Sequence, residues 1–503
     1  MKLVPNLLVL CSALTPCASA QSSLRLEQKG GGIGQSATFT LTGDPNRPYL
    51  LWFDLDEIDT RLPSGVVTNV GFDYLSVALA LPGFVGTTSA GGTATATANL
   101  PNDPALAGLR ISLQSLFIDR FDTVSNLTRM TPGLPGTFRD TLDVPQIPIL
   151  SGMASPQPDG SIVLLDTTLP FVWRYTPALE QFTLTDVSCA LGLLATTTTL
   201  PDGRILMSGG IDVATGQPQT RCVLFDPATL ACKELQMATP RAGHVAAALK
   251  SGEVMISGGF TTLDLTDVLL LFKGITKSVE IFDPVTETFR AGSDLPEPKV
   301  FHSATTDAAG KVLVAGGLTL VPVIDVPFVS PLAWTYDGGR DRYGLPLLLN
   351  EGRLLQSGAL LDDKTVLLVG GVTIDFATFL TSGDLADLKL TAVATGELWK
   401  DNFLGGSFTK IVGMQSGRAL PSITALPGAQ ALVAGGFDLL VNGADPTLWV
   451  FDPKATADRY GSKAFTATGG MRQARIAPIA VALADGTVLL IGGDALGAEV
   501  YQP

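Results

Sequence analysis

The chain reads as an all-β protein, a seven-bladed β-propeller preceded by a small β-sandwich. Three observations predict this. A diglycine ends six short apolar runs, at Gly209-Gly210, Gly258-Gly259, Gly316-Gly317, Gly370-Gly371, Gly435-Gly436 and Gly492-Gly493. The pairs recur every 49 to 65 residues, each with a tight-turn position six residues earlier. The chain before them lacks the repeat and alternates with period two. Self-similarity at a period of about 50 residues signals stacked units of a few strands, each too small to bury a core alone.

The elements follow in chain order. Residues 1–20 carry Lys2, an apolar stretch through Leu14 and Ala18-Ser19-Ala20 before Gln21, which predicts a cleaved secretory signal. Residues 21–138 form the predicted sandwich. Alternation is clear at Ala37-Thr38-Phe39-Thr40-Leu41, from Thr93 to Ala98 and from Arg110 to Gln114. Asp54, Asp56, Glu57 and Asp59 cluster there without the spacing or glycine of a calcium loop, so a solvated turn is expected. Asn126-Leu127-Thr128 fits a glycosylation sequon. A Pro- and Gly-rich linker, Thr131 to Gly136, leads into residues 139–503, the predicted propeller.

Within each propeller repeat the turn positions are Gly203, Gly252, Gly310, Lys364, Ala429 and Gly486. Eleven residues before the turn, five repeats carry a base: Arg241, Lys299, Arg353, Arg418 and Arg475. The constant spacing predicts an inner strand, a two-residue turn and a second strand as one rigid unit. A further strand then ends in a corner, at Phe225-Asp226-Pro227, Phe282-Asp283-Pro284 and Phe451-Asp452-Pro453. A degenerate seventh copy, Asp159-Gly160 through Asp166-Thr167, lacks the diglycine. The last copy has room for three strands, so Thr137 to Val144 is expected to supply the fourth and close the ring.

These diglycines, Asp-Gly turns, Phe-Asp-Pro corners and openings such as Pro240-Arg241-Ala242-Gly243-His244 resemble the kelch β-propeller family. The resemblance covers about residues 139–503 and implies fold more than function. It implies that the bases make hydrogen bonds between blades. The competing reading is an anion-attracting rim of Arg241, Lys299, Arg353, Arg418 and Arg475. The chain's two histidines, His244 and His302, follow their bases by three residues in successive repeats. The resemblance makes them structural, and no third metal ligand is marked. A sandwich ahead of seven blades is also similar to the galactose oxidase family, whose copper is held by two tyrosines, two histidines and a cysteine linked to one tyrosine. Neither His244 nor His302 lies in a Tyr-His pair, and no copper residue carries over.

Composition bounds the function. A net charge of −14 disfavours nucleic acid and anionic membranes as partners. No stretch after the leader is long and apolar enough to span a membrane. Cys222 and Cys232 flank the Asp226-Pro227 corner and are expected either as a disulfide or as a buried apolar pair. The stretches after the diglycines are apolar for loops, with Phe272 and Phe328 in two of them. They are read either as a contact rim, together with the bases and histidines, or as extra hairpins or segments packed against the first domain. The resulting expectation is a secreted, extracellular or periplasmic, non-catalytic protein that binds protein or glycan through this rim and needs no cofactor. The alternative is a carbohydrate-active enzyme, an oxidase or sugar epimerase, on the same face.

Overall fold

The computed structural model describes residues 24–503 apart from 142, 146–148, 150–151, 265–271, 322–325, 383–386, 403–404 and 442–448. The expected leader and part of the apolar stretches therefore lie outside the described residues. Seven four-stranded antiparallel units make the propeller, one of them joined by a short extra strand. Their inner strands are Gly152–Pro156, Thr196–Thr199, Val245–Ala248, Ser303–Thr306, Ser357–Leu360, Ser422–Leu426 and Ile479–Ala482, here blades 1 to 7. Each inner strand lies against the next, and that of blade 7 lies against that of blade 1. Thr137–Asp140 pairs with Ala498–Gln502 as the outer strand of blade 7. The ring is thus closed by chain that precedes blade 1, and no open sheet edge is left at the seam.

The second strands are the apolar runs before the diglycines, such as Val254–Ser257 and Val366–Val369, and are buried along their whole length. Both faces of each blade pack on a neighbour, so these strands carry no alternation. A layer of aromatic residues then locks the third strand to the outer one. The cross-strand pairs are Tyr175 and Phe182, Phe282 and Phe289, Tyr336 and Tyr343, Trp399 and Phe408, Tyr460 and Phe465, and Tyr501 and Phe138. Opposite pairs of this kind contribute about 0.5–1.5 kcal/mol beyond the area they bury. Blade 2 breaks the pattern, with Cys232 opposite Phe225.

Blade 6 departs from expectation. Phe451-Asp452-Pro453 is not its corner. Trp449–Pro453 pairs instead with Phe437–Val441 in a separate hairpin, and the third strand is Ala457–Gly461. The structural corner follows Tyr460, where Ser462 and Lys463 adopt φ of 52° and 63°. The sequence of a corner had formed within an insertion, and spacing alone did not separate the two.

The first domain packs a three-stranded sheet, with Ser36–Thr42 between Arg25–Gly30 and Thr93–Asn99, on a four-stranded one. The second sheet holds Pro48–Asp54 and Ile111–Phe117 at its centre. Phe39, Trp52, Phe84 and Phe117 fill the space between them. The domain rests on the corner side of the propeller. Gly30 N–H donates to Asp485 O at 2.7 Å and Arg129 N–H to Ala178 O at 2.9 Å.

Candidate functional site

Strand direction gives the propeller two unlike faces. One carries the Asp-Gly turns and the corners. The other carries the diglycines and the entries to the inner strands, and the histidines, the bases and the variable stretches belong to it.

The bases are not at a rim. Arg241, Lys299, Arg353, Arg418 and Arg475 are all fully buried, and each ties two blades together. The main-chain carbonyl of each accepts the N–H of the second glycine of the preceding blade, at 2.8–3.0 Å. Its side chain reaches forward to the first glycine's carbonyl in its own blade, as from Arg241 to Gly258 O at 2.8 Å and from Lys299 to Gly316 O at 2.6 Å. Four of them also meet a buried acid on the third strand: Glu280 at 3.3 Å, Glu397 at 3.4 Å, Asp458 at 2.7 Å and Glu499 at 3.3 Å. These acids were missed in the sequence. Each lies directly opposite the residue two before the first glycine, a signal that becomes visible once the register is known.

His244 and His302 are equally interior. The Nε2 of His244 lies 3.0 Å from Thr196 Oγ1 and 3.1 Å from Ser208 Oγ, and that of His302 lies 3.0 Å from Ser257 Oγ. Both therefore bond to the preceding blade. Gln356 occupies the same place in blade 5 and donates to Ala315 O at 2.7 Å. Burial, with Arg241 nearby, pushes the His244 imidazole down to about 3. Burial beside Lys299 drives His302 well below its ordinary value.

The cysteine pairing is corrected. Cys232 is bonded to Cys189, with their Cα atoms 5.8 Å apart, and Cys222 is a free, buried thiol. Register is the reason. Cys222 lies opposite Leu235 and Cys232 opposite Phe225, so the two point to opposite faces of blade 2. Cys222 faces blade 3 among Leu206, Val254 and Phe282, where burial pushes its thiol up to about 12. Cys232 faces blade 1, and the disulfide staples the two blades where the aromatic pair is missing.

The variable stretches of blades 4 to 6 are hairpins, as one of the two expectations had it, whereas 265–271 of the stretch in blade 3 lie outside the described residues. Leu318–Val321 pairs with Val326–Val329, Val372–Asp375 with Lys389–Ala392, and Phe437–Val441 with Trp449–Pro453. The three stand side by side over blades 4 to 6. Phe272 is buried under this row, its ring edge-on to Phe376 at 6.2 Å, and Phe328 is half-buried opposite Thr319. Over blades 2 and 7 the connections are short, and Leu193, Leu194, Val213 and Leu496 are exposed. The diglycine face is therefore walled on one side and open on the other.

At its centre the backbone is strained. Leu194, Gly243, Phe301, Leu355 and Leu420 hold φ between 44° and 64°. They form a chain of hydrogen bonds around the mouth, Gly243 N–H to Leu194 O, Phe301 to Gly243, Leu355 to Phe301 and Leu420 to Leu355, at 2.9–3.1 Å. A left-handed conformation costs a residue with a side chain about 1–2 kcal/mol. The four residues of this kind, with Gly243 set among them, form a set that the surrounding fold must hold in place.

Elsewhere, the carboxylates of Asp54, Asp56 and Asp73 lie within 4.8 Å of one another. Glu57 is not among them, because Arg129 and Arg110 hold it and depress its carboxyl to about 2. Asp54 is buried and already accepts the amides of Leu55, Asp56 and Asp73, so its oxygens serve the loop.

No described helix is long and apolar enough to cross a membrane. No protein-family model and no curated protein matches the sequence. The fold is nevertheless shared with solved structures. A fungal alcohol oxidase of the AA5 family, described as catalytically diverse and solved in complex with copper, superposes with a TM-score of 0.51 at 14% identity, over 72% of this chain and 76% of its own. The structure of YjhT covers 65% of this chain and 100% of its own, at 16% identity and a TM-score of 0.48. The fold is thus the galactose oxidase-like propeller. The expectation that the chain is not an enzyme is corrected by the first of these findings. That expectation rested on the lack of a recognisable catalytic set, and the propeller shared over most of the chain belongs to an enzyme.

The residues do not fit the copper centre that the resemblance implies. The two histidines sit at the diglycine end of the inner strands, with Nε2 engaged by hydroxyls. The propeller tyrosines Tyr175, Tyr336, Tyr460 and Tyr501 sit at the corner end of the third strands, with Tyr343 opposite Tyr336, a blade's length away and about 13–17 Å for four or five residues of strand. Cys189 is bonded to cysteine rather than tyrosine.

Proposed function

We propose that this chain is an exported carbohydrate-active enzyme that works on the diglycine face without a copper–tyrosyl centre. The observation that carries the reading is the strained ring at the mouth of that face, set between a wall of hairpins and an open sector. Non-glycine residues held left-handed concentrate at functional sites, because only a constrained scaffold tolerates their cost. The shared alcohol oxidase fold supports placing catalysis on this architecture. The misfit of the copper ligands favours the epimerase-type alternative, in which protein groups take a proton from the carbon beside the carbonyl of an open-chain sugar and deliver one to its opposite face. In the open sector Asp212 and Asp494 stand next to the diglycines. Asp212 accepts the amides of Ala214 and Thr215, which hold its carboxyl below the usual range and suit it to accept sugar hydroxyls. Asp494 is exposed on the open sector and accepts the amide of Ile476 at 3.1 Å, and the reading assigns proton transfer to it by position. The Cys189–Cys232 bond supports export to an oxidising compartment.

The test is to incubate the purified protein with a panel of mono- and oligosaccharides, with and without added copper, while recording oxygen uptake and proton NMR of the sugar. Interconversion of stereoisomers without oxygen uptake, reduced at least tenfold by Asp494→Asn, is the expected result. Oxygen uptake that depends on bound copper would overturn the proposed chemistry, and no conversion of any sugar would overturn the enzyme.

A further inference from the structure

We propose that the cleft between the outer strands of blades 2 and 3 is a docking site for an extended, uncharged peptide segment of another protein. This does not rest on the enzymatic reading, since the cleft opens on the side of the propeller. It encloses about 650 Å³, within the range of pockets that engulf small guests. Leu235 and Met237 of blade 2 form one wall, and Val279, Phe289 and Ala291 of blade 3 form the other. The Arg241–Glu280 pair closes the floor.

Two features select a peptide. The outer strand of blade 2, Ala231–Arg241, is eleven residues long, and among the described strands it pairs only with Gln219–Asp226 on its inner side. Its outer edge can therefore take a further strand, whose alternate side chains would enter the cleft. Towards the diglycine end the pairing slips, with Arg221 opposite Gln236 but Gln219 opposite Arg241. The intervening residues bulge, and the amides of Ala238 and Thr239 turn inward to Glu280 at 2.8 and 3.0 Å. That bulge fastens the strand to Glu280 of blade 3 and so bounds the cleft at its diglycine end.

Charge selects a neutral guest. Each charged group lining the cleft already has a partner of opposite sign. Arg290 meets Glu253 at 2.9 Å, Glu287 meets Arg204 at 2.6 Å, Asp294 meets Lys277 at 3.4 Å and Arg241 meets Glu280 at 3.3 Å. An ionised side chain inserted between the walls would lose its hydration without gaining a counter-ion. Phe289 is the one aromatic residue of the lining and packs on Phe282 at 5.0 Å, so the cleft offers little flat ring surface to a sugar.

The test uses the intact protein and synthetic nonapeptides alternating Val or Leu with Ser or Thr, read by fluorescence anisotropy. A second series carries Lys or Asp at the apolar positions, and a third is N-methylated at alternate amides. The uncharged series is expected to bind, and the other two at least tenfold more weakly. Ala238→Trp and Ala291→Trp fill the cleft with uncharged bulk from exposed positions and should weaken binding at least tenfold, whereas Ala228→Trp, at the corner, should not. The proposal is overturned if no uncharged peptide binds, if the charged or N-methylated series bind as well, or if the two cleft variants bind like the parent.

Discussion

The Cys189–Cys232 bond gives the sharpest test of how the ring is held together. Six blades fasten the outer strand with an aromatic pair, and blade 2 puts Cys232 opposite Phe225 instead. Replacing both cysteines by alanine removes the disulfide that ties blades 1 and 2 in addition to the chain between them. The two lie 43 residues apart in sequence. Closing a loop of that length removes about 13 cal/mol/K from the unfolded chain, or about 4 kcal/mol at 25 °C. Such a loss exceeds that of most single substitutions. The assay is urea unfolding followed by tryptophan fluorescence, since Trp173, Trp334 and Trp399 report on the propeller. The double alanine variant should unfold at markedly lower urea, whereas Cys222→Ala should show at most the small cost of trimming a buried thiol. A variant that joins Cys189→Ala to Cys232→Phe should regain about 1 kcal/mol by restoring the aromatic pair. A Cys189→Ala variant that still contains an internal disulfide, or a double variant as stable as the parent, would refute the pairing and the reasoning built on it.

Two further predictions concern the repeat itself. Gly258 and Gly203 both have positive φ, of 67° and 87°, but a Cβ at Gly258 would press on the Lys299 carbonyl and lie 3.0 Å from His302 Cε1, whereas one at Gly203 meets nothing within 4 Å. Gly203→Ala should therefore cost about 1 kcal/mol, the backbone term alone, and Gly258→Ala several-fold more, compared by the same urea assay. The histidines make stability depend on pH. Their folded values are depressed, that of His244 to about 3, so the unfolded chain binds more protons below pH 6.5. Their contribution is complete above pH 6.5 and is lost as the pH falls towards the folded values, at up to about 1.4 kcal/mol per pH unit for each. The variant with His244→Gln and His302→Gln, copying Gln356, should lose stability less steeply between pH 6.5 and 5, and parallel curves would contradict the assignment.

The fold was legible because its repeat is a matter of backbone geometry. Diglycine, turn and base keep constant spacing, since each base carbonyl must meet the preceding blade's second glycine. The site was less legible for three physical reasons. The bases were countable, but the buried acids that neutralise four of them fall at offsets of 24 to 44 residues, because the insertions between second and third strands differ in length. The cysteine pairing depended on which face of a strand each residue occupies, and a flanked corner does not reveal that. The strained positions Phe301, Leu355 and Leu420 follow their bases by two residues, but only Gly243 among the equivalents is a glycine, so residue type did not announce the left-handed backbone.

Blade 4 shows that the repeat is maintained by paired chemistry rather than by single residues. Where four blades combine Arg with an acid, blade 4 has Lys299, and the position of the acid, opposite Val314, is Trp334. The Lys299 ammonium lies 5.0 Å from the Trp334 ring centre and takes Glu297, two residues away, as its counter-ion at 2.6 Å. A buried cation needs compensation, and a ring face with a local carboxylate supplies what the third-strand acid supplies elsewhere. Blades 1 and 2 have Trp173 and Val223 at that position, opposite Leu164 and Met207, and neither has a recognised base. Base and acid are thus present or absent together. An unpaired one would leave a charge in an interior that several kcal/mol of desolvation makes prohibitive. The same constraint explains why these bases serve the architecture, and it leaves the activity proposed for the diglycine face to other groups.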